Sequence, residues 1–188
     1  PSVNAGTDAT ICIGNSTTLI ASGSGTYAWS PSTGLSNSTI ANPVANPTAS
    51  TNYTVTITDI CGTASDSVWV IVDVPVATVG GNSPICNGTS STLCATGGGT
   101  YLWDNSSTTS CITVSPVTST GYTVTITDGF SCTATATMTV SVNALPTAAI
   151  AGNTTICSGV NDTLVATGGT TYLWNTGATT DTLIVNPT

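Results

Sequence analysis

Short stretches in which apolar and hydroxyl-bearing residues alternate run along the chain. Tyr53, Val55 and Ile57 alternate with Thr54, Thr56 and Thr58, and Tyr122, Val124 and Ile126 alternate with Thr123, Thr125 and Thr127. A period of two places one set of side chains on a buried face and the other on a wet one, which predicts half-buried β-strands. Glycine clusters at Gly23-Ser24-Gly25 and Gly97-Gly98-Gly99 predict hairpin turns. Pro43, Pro47 and Pro116 suit strand entries or edges.

The strands recur as a repeat. Ile11-Cys12, Ile85-Cys86 and Ile156-Cys157 each precede a turn rich in Gly, Asn and Ser. A Thr-Leu-x-Ala-Ser/Thr-Gly segment follows at 18–23, 92–97 and 163–168, and then an aromatic pair, Tyr27/Trp29, Tyr101/Trp103 and Tyr172/Trp174. The string Tyr-Thr-Val-Thr-Ile-Thr-Asp occurs twice, at 53–59 and 122–128. The third unit reaches Thr188 before its own copy, so the chain reads as about two and a half units, a piece of something longer. About 70 residues of six or seven short strands with inward aromatics predict an all-β fold of tandem Ig-like/PKD-like β-sandwich repeats. The expected units are 1–73, 74–143 and 144–188, the last a first half only, joined near Val72–Pro75 and Val142–Pro146. Trp29, Trp103 and Trp174 fall at equivalent positions and are expected in the cores, as is Trp69.

One face of the strand after Cys61 gives a further expectation. Aligned on the cysteines, Ser67, Trp69 and Ile71 match Met138, Val140 and Val142. Val68, Val70 and Val72 then match polar residues and form an exposed apolar stripe, a candidate inter-subunit contact. Ordinary strand composition, or cover by the linker, is the alternative.

Composition narrows the function. Lys, Arg and His are absent, all eight charges are Asp, and the net charge is −8. Thr and Ser, 42 and 22 residues, make up a third of the 188. Without His or Lys there is no Ser–His or Cys–His nucleophile pair and no Schiff base, so no catalysis is expected. An all-acidic chain has no phosphate clamp and is repelled by nucleic acid. No apolar run approaches the roughly 20 residues that span a bilayer, so membrane insertion is not expected. No cofactor is expected either. Calcium is the one weak candidate, at a linker, because Asp59 and Asp128 recur at the end of one strand and Asp73 lies at a joint.

Seven cysteines map onto the repeats. Cys12 and Cys61 are the only two in the first unit and are expected to pair, and internal equivalence then assigns Cys86 to Cys132. Cys94, at the position of Ile20 and Val165, is left with Cys111, at the position of Thr182. Cys157 is expected to find a partner outside the chain, some 45–50 residues on, by the spans of 49 and 46 residues in the earlier units. Metal binding is disfavoured by the absence of His and of any Cys-x-x-Cys. Disulfides imply an oxidising, extracellular setting.

The strings Tyr27-Ala-Trp29-Ser-Pro31, Thr33-Gly-Leu35, Asn42-Pro43 and Tyr53–Asp59, with Cys12 and Cys61 around them, resemble the PKD-like/Ig-like repeats of secreted Bacteroidota surface proteins, which include large adhesins of the gliding-motility type. Units two and three depart from that pattern, with Trp103-Asp104 and Trp174-Asn175 and no Thr-Gly-Leu segment. The resemblance implies a secreted stalk or filament at a bacterial cell surface that self-associates or runs in tandem. The alternative is an adhesin module binding glycan or a partner cell. Asp66-Ser67-Val68, Asp162-Thr163-Leu164 and Asp181-Thr182-Leu183 resemble the O-glycosylation signal of the same bacteria, making Ser67, Thr163 and Thr182 candidates. Asn15, Asn37, Asn87 and Asn105 are candidates as sequons.

Overall fold

The computed structural model describes residues 1–186. The first repeat forms β1 (Val3–Asn4), β2 (Ala9–Cys12), β3 (Thr17–Thr18), β4 (Ser22–Gly23), β5 (Thr26–Ser30), β6 (Val44–Ala45), β7 (Thr51–Asp59) and β8 (Gly62–Asp73). The second forms β9 (Thr78–Gly81), β10 (Ile85–Cys86), β11 (Ser91–Thr96), β12 (Thr100–Trp103), β13 (Cys111–Val114), β14 (Thr120–Thr127), β15 (Thr133–Val140) and β16 (Val142–Asn143). The third contributes β17 (Ala149–Ala151), β18 (Asp162–Thr167) and β19 (Thr182–Val185). The architecture is all-β, and no helix of the described residues is long and apolar enough to cross a membrane.

The alternating segments become long antiparallel hairpins. β7 and β8 stay paired from Asp59↔Gly62 to Thr51↔Val70, and β14 and β15 from Thr127↔Thr133 to Thr120↔Val140. β5 and β2 flank the first hairpin in the order β2-β8-β7-β5, and the pairs β1-β4 and β3-β6 stand beside this sheet. In the second repeat β12-β14-β15 faces β13-β11-β9. The opening segment of each repeat divides between the layers. β1 pairs with β4 while β2 runs parallel to β8, and β9 pairs with β11 while β10 runs parallel to β16. Two layers, antiparallel except where the divided first strand joins the last one, make each of these repeats an Ig-like β-sandwich.

Each sandwich closes over an indole. Trp29, Tyr53, Val55, Val68 and Val70 are buried together in one core, and Leu93, Trp103, Val124, Ile126 and Val140 in the other. The indole N–H groups of Trp29, Trp103 and Trp174 donate to the carbonyls of Ile40, Thr109 and Thr180 at 3.0, 2.8 and 2.8 Å, so one device ties the following loop in all three repeats. Trp174 is only half-buried, because residues 144–186 supply no strand of the β7 or β14 kind to cover it. Turns ahead of β5 and β12 need glycine. Gly25 and Gly99 have φ of +136° and +93°, and a Cβ would run into the carbonyl oxygens of Thr58 and Thr127.

Hydroxyl pairs link strands on the wet faces, where the absence of Lys, Arg and His leaves no ion pair between side chains. Thr56–Ser65, Thr78–Thr96 and Thr123–Thr137 hydroxyls meet across strands at 2.9, 2.7 and 2.8 Å. Such cross-strand pairs contribute roughly 0.2–1 kcal/mol each and help to fix register.

The valine stripe faces the other way from the expectation. Val68, Val70 and Val72 are buried, and Trp69, expected in the core, is 45% exposed. Tyr53 stands opposite Val68 and Tyr122 opposite Met138, so Val68 and not Ser67 is the counterpart of Met138. The turn of the second hairpin holds its cysteine one ladder position away from that of the first, and alignment on cysteines slips every later residue by one. A one-residue slip exchanges the faces of a strand. Ser67 is accordingly exposed.

Trp29→Ala is expected to cost about 3–5 kcal/mol, whereas Trp69→Ala is expected to cost roughly 1 kcal/mol or less. Urea denaturation of the whole chain measures both, and equal losses would mean that the assigned faces are wrong.

Candidate functional site: the junction between repeats

A β-strand rises about 3.3 Å per residue, so the ends of a twelve-residue arm such as β8 stand roughly 36 Å apart. Cys12 lies beside Asp73 at one end of that arm, and Cys61 lies in the turn at the other. The second repeat has the same layout. Cys86 lies beside Asn143, and Cys132 lies at the hairpin tip, where its carbonyl accepts the Asp128 N–H at 2.9 Å. The expected pairs Cys12–Cys61 and Cys86–Cys132 are therefore not formed, since each would have to span the length of a sandwich. Cys12 is bonded to Cys132 of the next repeat, with the Cα atoms 5.3 Å apart and 120 residues between them. Cys61, Cys86 and Cys157 are exposed free thiols. The residue count along the hairpin arm is the signal by which the sequence could have excluded the intra-repeat pairs.

Cys94 and Cys111 stand directly opposite on β11 and β13 and are bonded, with Cα atoms 4.1 Å apart. Val165 and Thr182 form the corresponding cross-strand pair on β18 and β19.

The Cys12–Cys132 bond brings two carboxylates together. Oxygens of Asp73 and Asp128 and the Cys132 sulfur lie within 4.8 Å of one another. Oδ1 of Asp128 accepts the N–H groups of Phe130 and Cys132, both at 2.9 Å, which shapes the hairpin tip around the cysteine. Oδ2 of Asp73 is shut off from solvent without a protein donor. A proton shared with Asp128 would satisfy it. That hydrogen bond raises the Asp73 pKa, with burial and the Asp128 charge adding to it. The same bond lowers Asp128, helped by the N–H groups of Cys132 and Phe130 and opposed by burial. The two titrate as a pair.

Asp59, grouped with these residues as a calcium candidate, lies at the tip of the first hairpin, at the opposite end of β8 from Asp73. The Cys132 sulfur is committed to its disulfide and offers no thiolate, so the cluster supplies two carboxylates against the six to eight oxygens that calcium takes. The glycosylation candidates Ser67, Thr163, Thr182, Asn15, Asn37, Asn87 and Asn105 are all solvent-exposed.

No family model matches the chain, and no curated protein matches it. Among solved structures, the extracellular domains 3–5 of Drosophila OTK align at 13% identity and a TM-score of 0.42, over 73% of this chain and 59% of that one. The N-terminal four Ig domains of Dscam1 isoform 6.9 align at 13% and 0.35, over 73% and 44%. Titin domains Z1Z2, solved with telethonin, align at 14% and 0.32, over 74% and 93%. This chain thus spans between two fifths and three fifths of the OTK and Dscam1 fragments. The class defined by the strand order is a tandem Ig-like β-sandwich chain, and these neighbours share too little sequence to carry function across.

Two outcomes test the junction. Cys132→Ser is expected to release Cys12 as one additional free thiol, because Cys12 and Cys61 stay too far apart to pair; thiol counting after denaturing alkylation of variant and parent reads the difference, and a count below that of the parent would mean that Cys12 and Cys61 had paired. Asp73 stabilises the junction while it holds its proton, and that contribution is lost as the pH rises through its folded-state value, above the ordinary 3.8. Asp128 contributes above its own lowered value and loses that contribution as the pH falls through it. Calorimetry is therefore expected to show stability falling as the pH rises from the ordinary carboxylate value of 3.8 through the raised value of Asp73, and Asp73→Asn is expected to flatten that fall.

Proposed function

We propose that the chain is a non-catalytic extracellular structural module, a stalk or filament of β-sandwich units at a bacterial cell surface. The observation that carries this reading is the Cys12–Cys132 bond, which fixes one sandwich end to end with the next. In this reading 1–73, 74–143 and 144–188 are successive repeats, with residues 187–188 outside the described part, and the family is that of the PKD-like/Ig-like repeats of Bacteroidota surface proteins. The units extend a tip away from the cell or self-associate into a fibre, and need no cofactor to do so. Disulfides suit an oxidising exterior. A chain without Lys or Arg has no trypsin site, and its faces are rich in hydroxyls that hydrate well. Exposed Ser67, Thr163, Thr182 and the sequons offer places for glycans. Adhesion to a glycan or a partner cell is the second reading, and it is favoured by Trp69, an aromatic 45% exposed beside half-exposed Ile71.

Electron microscopy of the natively secreted protein is expected to show straight segments with an axial step of roughly 30–40 Å per unit, set by the hairpin length. Thiol reduction is expected to turn them into flexible strings of beads. Flexible strings before reduction would overturn the stalk reading.

A further inference from the structure

Cys86 occupies the ladder position of Cys12. Each ends a short strand that runs parallel to the last strand of its repeat, Cys12 beside Asp73 and Cys86 beside Asn143. The next residue donates its N–H to the same neighbour, Ile13 to the Asp73 carbonyl and Asn87 to the Asn143 carbonyl, both at 2.9 Å. The turn that follows closes on the cysteine carbonyl in all three repeats, from the N–H groups of Asn15, Thr89 and Val160 at 2.9, 3.0 and 3.1 Å. At Cys12 this constellation receives a hairpin-tip cysteine of the following repeat. At Cys86 the thiol is free and exposed.

The opposite half of the joint recurs as well. Asp59 Oδ1 accepts the Cys61 N–H at 2.6 Å, as Asp128 Oδ1 accepts that of Cys132. The two tips are not identical. Cys132 faces Asp128 in its ladder, whereas Gly62 faces Asp59 and leaves Cys61 one position further out. Next to Cys61, Ile60 is 100% exposed, an apolar residue on a tip that projects away from its own core.

We propose that the Cys12–Cys132 bond is one link of a recurring series, in which the base cysteine of each repeat bonds the hairpin-tip cysteine of the repeat that follows. Cys86 and Cys157 are base cysteines that receive tips, and Cys61 is a tip presented to a base cysteine of the Cys12 kind. The partner is another repeat of this same pattern. Each link forms when two S–H bonds break and one S–S bond forms, with two protons and two electrons passing to the disulfide of a dithiol–disulfide exchange oxidant, which leaves as a dithiol. This goes beyond the stalk reading, since it concerns which sulfurs are joined and not what the assembled protein is for.

The test is disulfide mapping of the natively secreted protein. Free thiols are alkylated first, and the protein is then digested with chymotrypsin without reduction, trypsin having no sites. The expected result is Cys86 joined to a peptide carrying a tip of the Thr-Asp-x-Cys or Thr-Asp-x-x-x-Cys kind, with Cys12–Cys132 and Cys94–Cys111 intact. A non-reducing gel separates the two sources: a link within one polypeptide leaves a single band, and a link to Cys61 of a second copy gives a ladder that Cys86→Ser shortens. Cys86 found alkylated in most molecules, or bonded to Cys132, or Cys12 bonded to Cys61, overturns the proposal. None of these results depends on whether the protein forms straight rods.

Discussion

The fully paired hairpin at the centre of each repeat sets the other dimensions of this molecule. β7 and β8 are zipped from Asp59↔Gly62 to Thr51↔Val70, and one period-two pattern then dictates both which side chains enter the core and how far apart the two ends of the sandwich stand. Trp29 is buried because β5 pairs with β7 so that it lies opposite Val55, and Trp103 is buried because β12 places it opposite Val124. Cys12 is at a joint for the same reason. It follows β8 to its far end, where its own repeat has no second sulfur to offer and the next repeat presents a tip.

A chain without a single cationic side chain has to divide the work of stability unusually. Burying a tryptophan removes about 150–250 Å² from water, or roughly 4–6 kcal/mol at 25 cal/mol per Å². Several threonine pairs at about 0.2–1 kcal/mol each amount to less, and serve chiefly to choose the register. A small sandwich on these terms is marginal. Closing a loop of 120 residues restricts the unfolded chain by about 5 kcal/mol in the entropy model, a contribution the two joined repeats share. The Asp73–Asp128 pair works against this once the pH has risen through the raised value of Asp73, because two carboxylates held together by the disulfide then repel each other.

Much of this was legible in the residues. The repeat, the all-β class and the burial of Trp29 and Trp103 follow from spacing and from a period of two, which are properties of the chain alone. The Cys12–Cys61 and Cys86–Cys132 pairs were misread because internal equivalence says which cysteines are alike, not which are near. Cys12 and Cys86 are alike, as are Cys61 and Cys132, and the bond joins one of each kind across a joint. The faces of β8 were misread for a smaller reason. The two hairpin turns differ in length, so a cysteine makes a poor ruler for the strand that follows it, and Trp69 came out inside while Val70 came out exposed. Cross-strand partners, Tyr53 with Val68 and Tyr122 with Met138, are the ruler that holds.

Staples between repeats and staples within them protect different things. A bond within each sandwich would guard that sandwich against unfolding and leave its joints free to bend. The Cys12–Cys132 bond instead bypasses nearly everything between residues 12 and 132: tension applied to the ends of the chain passes from Cys12 straight to Cys132. The 120 residues in the loop, which at about 3.3–3.6 Å each could otherwise pay out roughly 400 Å of slack, carry none of that tension. The strands outside the loop, β1 and β2 before the bond and β15 and β16 after it, still bear tension, whereas β3 to β14 are shielded until the sulfur–sulfur bond breaks. The geometry that denies each repeat its own disulfide is the geometry that shields the strands between Cys12 and Cys132 from that tension.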